Sequence, residues 1–340
     1  MNASTVLGYA AMAEGRELEP LEFTPPDLGE HDVRVDISHC GVCYTDVHGI
    51  RNDYGISTYP FVPGHEIVGA VTEAGSSVFD LKVDDRVGIG WQGRSCMQCE
   101  WCLRGEEHLC EDIANCGTWK PFGGFSASIV VDSRFAYLLP EAMPSEIAAV
   151  LMCAGVSVYA PLRRYEAGSS MRVGVVGVGG LGHIAIQFAH ALGCDVTAIS
   201  SSPEKEKEAR EFGADAFVLT DTPDAMKPLA LSFDLLMYTS HAKGEWTNMV
   251  DSLKTRGRMI VLGFPEGSVT FDPMELVIHE MSITGSLIGS RETMREMLAF
   301  AQEHSITPKI ELMPISQANE AIQRITEGKA RYRIVLECDN

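Results

Sequence analysis

With 340 residues, 45% of them hydrophobic and 22% charged, the chain is too long for a single core and too apolar for wholesale disorder, so two domains are expected. Its 47 acidic against 27 basic residues leave a formal charge of −20, which argues against nucleic acid and anionic membrane as main partners without selecting a substrate. No run reaches the length of a transmembrane helix, and the N-terminus lacks the basic and apolar segments of a signal peptide; ten cysteines in that setting point to thiols, metal ligands or catalysis, and to the cytoplasm.

No internal repeat or low-complexity tract interrupts the chain. Residues 1–140 are rich in Gly and Pro and carry the short runs DVRVDISH, EIVGAVTEAG, DRVGIGW, SASIVVDS and FAYLLP, which predict a β-rich domain with long loops. Near residue 145 the pattern changes, and SEIAAVLMCAGVSVYAPLRRY reads as a helix broken at Cys153–Gly155. Six apolar runs of strand length follow between Met171 and Ser286: MRVGVVG, DVTAIS, AFVLT, DLLMYT, RMIVLGF and MSITGS. The helical segments LGHIAIQFAHALG, PEKEKEAREFG, EWTNMVDSLKTRG and PMELVIHE lie between them, which predicts βαβ units and a parallel sheet. Beyond Arg291, RETMREMLAFAQEHS and ISQANEAIQRITEG read as helices, the second ended by Gly328, and ARYRIVLE as a closing strand. This tail lacks the βα rhythm and is expected to return to the first domain, giving domains at 1–152 with 291–340 and at 153–290.

Three stretches carry chemistry. CGVCYTD holds Cys40 and Cys43 three apart, which fits a redox pair, half a zinc knuckle, or one metal ligand beside a bystander. GRSCMQCEWCLRGEEHLC places Cys96, Cys99, Cys102 and Cys110 as C-x2-C-x2-C-x7-C. Four thiolates in one short loop close a tetrahedral zinc site with no open position, a cross-link for a loop with little core of its own. An iron–sulfur cluster is the alternative; the compact loop and the missing Pro of ferredoxin-type runs favour zinc. VGVVGVGGLGHIAIQFA places Gly177, Gly179 and Gly182, around Gly180 and Leu181, as G-x-G-x-x-G between a strand and a helix. In that context the first Gly allows a tight turn, the second lets backbone approach a pyrophosphate, and the third packs helix on strand. The helix N-terminus then offers its N–H groups to phosphate. The next strand ends at Ser200, where NAD sites usually present a carboxylate to the ribose 2′-OH. A serine does not repel a 2′-phosphate, and Ser201 and Lys205 lie close by to bind one, so NADP(H) is expected over NAD(H).

PFVPGHEIVGAVTEAGSSV adds the long pattern G-H-E-x2-G-x5-G-x2-V with His65, Glu66, Gly69, Gly75 and Val78. With CGVCYTD, SCMQCEWC, LMCAGVSVY and GVGGLGH, it resembles the zinc-dependent medium-chain alcohol dehydrogenases over essentially the whole chain. The order and spacing are most similar to the cinnamyl-alcohol-dehydrogenase branch and, within it, to bacterial NADPH-dependent aldehyde reductases. The resemblance implies an α/β protein with a GroES-like β-rich catalytic domain and a Rossmann cofactor domain built on a doubly wound parallel sheet. It implies two zinc ions per chain, a structural one on the four clustered cysteines and a catalytic one on Cys43, His65 and Cys153. Glu66 is implied to approach the metal and help ligand exchange, and Asp46 to fix a ligand. Thr45 is implied to hydrogen-bond the substrate oxygen and His48 to exchange the proton with water. The same likeness assigns Tyr54, Trp91 and Trp119 to the substrate pocket and Arg333 to the cofactor pyrophosphate. Val261, Leu262 and the segment from Ser286 through Ile288 to Ser290 are assigned to the nicotinamide end. Cys40 is left as a small buried bystander.

Two positions depart from the family pattern. Tyr44 stands where relatives commonly carry His or Arg, and the fourth strand ends MYTS where they often have an Asn- or Asp-containing turn. The expected function is the interconversion of aldehydes and primary alcohols with NADP(H), as a broad-range reductase of small molecules. An NAD-preferring alcohol dehydrogenase is the alternative. A non-enzymatic zinc-ribbon scaffold is opposed by the acidic charge and the complete catalytic ligand set. The resemblance also implies a homodimer joined through the edge of the cofactor-domain sheet.

Overall fold

The structure, a computed structural model, describes residues 5–117, 122–222, 224–241, 244–264 and 268–338. The chain divides into two compact units, Met1–Val156 with Gly289–Glu303 and Thr307–Asn340, and Ser157–Ile288 with His304–Ile306.

The first unit is built on a seven-stranded sheet. Its order is Ile310–Pro314, Arg333–Glu337, Asp32–Val42, Glu66–Ala74, Arg86–Ile89 and Ala136–Leu138, with Ser128–Asp132 also paired to Asp32–Val42. Alternate residues Val33, Val35 and Ile37 point into a core shared with Phe61, Ile67, Phe125 and Ile334. The returning tail adds its last strand antiparallel to Asp32–Val42, with Ile334 opposite Val42. Pairing of Gly41 with Glu66 sets the local geometry. One strand ends just before Cys43 and its neighbour begins just after His65, so both side chains emerge at the same end of the sheet. An N-terminal hairpin, Val6–Ala11 with Leu18–Phe23, and a helix at Tyr44–Arg51 are additions to the elements read from the sequence.

The segment Ser145–Arg164 corrects two expectations. It is one helix with no break, because Leu151–Gly155 forms a π-helical turn that takes up an extra residue without ending the helix. It is also long and apolar enough to cross a membrane, but 72% of its most apolar window is buried inside the protein, as in a core helix.

The second unit holds six parallel strands in the order Ala216–Leu219, Asp195–Ser200, Arg172–Val176, Phe233–Tyr238, Leu253–Val261 and Ser282–Gly285. Strand order reverses beside Arg172–Val176, the switch point at which such sheets bind ligands outside their carboxyl ends. The expected helix EWTNMVDSLKTRG is helical only over Trp246–Asp251. Leu253 is buried and already pairs with Phe233, and a register shift follows on that strand. The strand begins at Leu253, two residues after the helix ends, and Arg256 within it takes φ +63, a conformation incompatible with the helix expected through TRG.

Candidate metal and cofactor sites

The helix Tyr44–Arg51 begins at Cys43, and its third residue, Asp46, is fully buried. Oδ2 of Asp46 accepts from Cys43 N at 2.8 Å, while Oδ1 accepts from Gly64 N at 3.0 Å and lies 3.1 Å from His65 Nδ1. One carboxylate thus ties together the two segments that carry Cys43 and His65. It also leaves His65 Nε2 as the outward nitrogen, buried with no hydrogen-bond partner among the described residues. Cys153 arrives from the π-helical turn. Donor atoms of Cys43, His65, Glu66 and Cys153 all lie within 4.8 Å of one another.

The electrostatics match that geometry. Hydrogen bonding from the Cys153 thiol holds Cys43 well below the usual thiol range, against burial, and His65 adds to the effect. Cys153 is raised well above its ordinary value as the donor in that pair and by burial. Burial disfavours a charged His65, yet the Asp46 carboxylate and the Cys43 sulfur together raise its pKa well above the ordinary value. Burial pushes Glu66 up to about 7 against the pull of Arg333. Two sulfurs, an orphaned imidazole nitrogen and a carboxylate converging on one dry point fit zinc in chemistry and spacing.

Arg333, expected at a cofactor phosphate, is buried with its guanidinium on Glu66 Oε1. Gly41 stands across the sheet from Glu66, and a Cβ there would overlap the Glu66 carboxylate. Cys40 also finds its place: its sulfur occupies the space beside Gly64 and Gly124, and burial first, then Asp46, raises its pKa well above the thiol norm. It is a packed, inert thiol.

Thr45 Oγ1 lies 3.5 Å from Cys43 Sγ on the first turn of the helix. His48 follows on the same helix, and its Nδ1 is 2.6 Å from Asp53 Oδ2. Asp53 was missed in the sequence. The helix ends at Asn52 with φ +54, a left-handed cap that reverses the chain, and Asp53 N then bonds back to His48 O at 3.1 Å. An Asn-Asp pair just past a short helix is the signal that marks it. Tyr44 and Tyr54 flank the His48 ring at centroid distances of 4.9 and 5.1 Å, which gives Tyr44 a contact the motif alone did not suggest. Burial, with Asp53 and Cys43, pushes Tyr54 up to about 12. Trp91 is buried at the end of Arg86–Ile89, its carbonyl accepting from Cys116 N. Trp119 lies outside the described residues.

Cys96, Cys99, Cys102 and Cys110 also bring their sulfurs within 4.8 Å of one another. Cys96 Sγ is 3.5 Å from that of Cys110 and 3.9 Å from that of Cys102. A tetrahedron with Zn–S near 2.3 Å has edges of about 3.8 Å, so this cluster fits a closed zinc site. Backbone N–H groups from Gln98 and Cys99 lower Cys96 to about 7, while burial raises Cys110 to about 12.

In the second unit, Gly177 takes φ +93 at the end of Arg172–Val176. A Cβ on Gly182 would overlap the Gly177 carbonyl, whereas the Cβ side of Gly179 has no neighbour within 4 Å. Gly180 and Leu181 complete the turn into the helix Gly182–Ala191. Thr239, in the departing MYTS segment, donates its hydroxyl to the carbonyls of Val176 and Gly177 at 2.9 and 3.0 Å. That clamp was not read from the sequence. Ser200 Oγ accepts from Ser202 N at 3.2 Å, with Ser201 exposed and Lys205 half-buried at the end of the short helical turn Pro203–Lys205. Sheet register pairs Tyr238 with Val261 and Val261 with Gly285. Leu262 and Ser286 therefore leave the same carboxyl edge as Gly177 and Ser200. Ser286 Oγ is buried without a partner among the described residues, and Ile288 is half-buried.

Family profiles match over residues 29–141, as an alcohol dehydrogenase GroES-like domain, and over residues 180–303, as a zinc-binding dehydrogenase. The chain is 38% identical to the probable cinnamyl alcohol dehydrogenase 6 of Oryza sativa subsp. japonica, over 98% of this chain and 96% of that one. It is 39% identical to the NADP-dependent alcohol dehydrogenase C 1 of Mycolicibacterium smegmatis, over 98% of each. Its fold matches a solved cinnamyl alcohol dehydrogenase from Sorghum bicolor with a TM-score of 0.94, at 38% identity over 98% of both chains.

Proposed function

The chain belongs to the zinc-dependent medium-chain alcohol dehydrogenases, in their cinnamyl-alcohol-dehydrogenase-like branch, and from that premise we propose that it is a broad-range aldehyde reductase using NADP(H). Family membership makes it an alcohol–aldehyde oxidoreductase; the range, the nucleotide and the residue roles are our reading. The convergence of Cys43, His65 and Cys153 beside Thr45 carries it.

Zinc held by Cys43, His65 and Cys153 supplies a Lewis acid for the substrate oxygen, and NADP(H) supplies or accepts the hydride. Asp46 fixes the tautomer and direction of His65. Arg333 holds Glu66 by one oxygen and leaves the other, buried without a partner among the described residues, beside the Cys43, His65 and Cys153 donors, where it can assist ligand exchange. The Thr45 hydroxyl donates to the substrate oxygen as negative charge grows on it. His48, further along the same helix, passes the proton on, and Asp53, 2.6 Å from its Nδ1, fixes the orientation of the ring. Gly177 to Gly182 receive the pyrophosphate, with Ser200, Ser201 and Lys205 at the 2′-phosphate. Thiol chemistry at all ten cysteines supports a cytoplasmic setting. The outer position of strand Ser282–Gly285, and exposed Met274, Val277 and Ile278 on the preceding helix, support a homodimer.

Steady-state kinetics with NADPH and NADH across aliphatic and aromatic aldehydes test the reading. NADPH is expected to be preferred by about tenfold or more, equivalent to about 1.4 kcal/mol. Ser200→Asp is expected to move the preference toward NADH by charge repulsion. Equal use of both nucleotides, or an aspartate variant that still prefers NADPH, contradicts the nucleotide assignment.

A further inference from the structure

We infer that His183 is a positioning residue that locks the Gly179–Gly180 peptide, so that the Gly180 N–H stays turned outward to the cofactor phosphates. The inference rests on the nucleotide-binding reading of this turn. His183 is fully buried in the first turn of Gly182–Ala191, a helix whose other buried side chains are apolar. A buried imidazole is costly unless its polar atoms are bonded. His183 Nδ1 lies 2.7 Å from the Gly179 carbonyl oxygen, and its backbone N donates to the same oxygen at 3.1 Å. The acceptor is a carbonyl, so Nδ1 carries the proton. One residue therefore grips one carbonyl twice.

The grip matters because of what flanks it. The Gly179–Gly180 peptide joins two glycines, which rotate more freely than any other pair. Nothing lies within 4 Å of the Cβ side of Gly179, so packing there does not hold the peptide. In a planar trans peptide the C=O and the following N–H point in opposite directions. Holding the Gly179 carbonyl against the helix thus holds the Gly180 N–H away from it, on the side where the sheet ends. The ring also packs against Phe212 at 5.3 Å, at the end of the helix Glu206–Glu211 that follows the Ser200 turn. His183 therefore links the phosphate turn to the element that leaves the ribose end.

The test compares His183→Leu, which lacks the donor, with His183→Asn, whose Nδ2 can replace Nδ1. NADPH affinity is measured by fluorescence titration, alongside kcat, KM and thermal midpoint. The leucine variant should raise Kd and KM for NADPH about five- to tenfold, as expected for one lost hydrogen bond, with kcat at saturation within about twofold. The asparagine variant should recover most of the affinity. A leucine variant that binds as tightly as the parent overturns the inference, as does an asparagine variant as weak as leucine when both melt near the parent. Nitrogen-15 NMR of the unaltered protein gives an answer that needs no variant: a ring protonated at Nδ1 is required, and a neutral Nε2–H tautomer refutes it. A parent that binds neither NADPH nor NADH overturns the nucleotide reading and this inference together; normal binding by the leucine variant overturns only this inference.

Discussion

Asp46 serves three donors with two oxygens, and two segments on either side of the cluster depend on it. Asparagine at this position would keep an acceptor for Gly64 N but lose the charge that orients His65. Removing such a support typically weakens metal binding by about 10- to 100-fold. Asp46→Asn is therefore expected to retain one zinc per chain after dialysis against a moderate chelator, where the parent retains two. Two zinc ions retained in the variant would show that Asp46 does not hold the site. Gly41 acts beside it by omission, since any larger side chain would displace the Glu66 carboxylate from its seat next to Arg333.

At the scale of elements, the π-helical turn and the four-cysteine lobe solve different problems. The π turn keeps Ser145–Arg164 helical while presenting Cys153 from its middle, a use common for such turns. The lobe has only the four-residue helix Glu100–Leu103 and the turn Glu107–Leu109 as regular structure. Among the described residues, its anchors include Gln92 Nε2, which donates to Glu107 O at 2.7 Å, and the buried Glu107 side chain, which pairs with Arg291 at 2.9 Å. Such a loop depends on its metal. Cys110→Ser should lose one zinc, lower the thermal midpoint by about 5 °C or more, and become cleavable within the lobe. An unchanged midpoint with one zinc lost would mean that protein contacts, and not the metal, hold the loop.

For the whole molecule the open matter is assembly. The strand Ser282–Gly285 is the edge strand of its sheet, the kind of position where another chain can pair, and exposed Val277 and Ile278 lie on the helix just before it. With a net charge of −20, random self-association is opposed by repulsion, so a specific patch is needed to bring two copies together. Sedimentation velocity should give a dimer for the parent. Val277→Arg should weaken it by about 100-fold or more, as for a central interface residue. A monomeric parent at micromolar concentration would end the dimer reading.

Local pattern was enough for much of this protein. Alternating apolar strands and helices between Met171 and Ser286 reported the parallel sheet, because burial on both faces imposes long apolar runs. Motif spacing singled out the clustered cysteines, the glycine turn and GHE, because metal and phosphate geometry constrain residue type at short range. Periodicity failed where local preference and tertiary burial disagreed: Leu253–Val261 is strand because Leu253 pairs with Phe233, and Ser145–Arg164 stays helical through the π turn. Only the tertiary structure brings Cys153 to Cys43 and His65, sets Arg333 on Glu66, folds Asp53 back onto His48 and turns His183 onto Gly179. Those contacts depend on sheet register, on one left-handed cap and on the direction of single side chains. None of these leaves a period in the sequence, because each is decided by the packing of segments that the chain itself keeps apart.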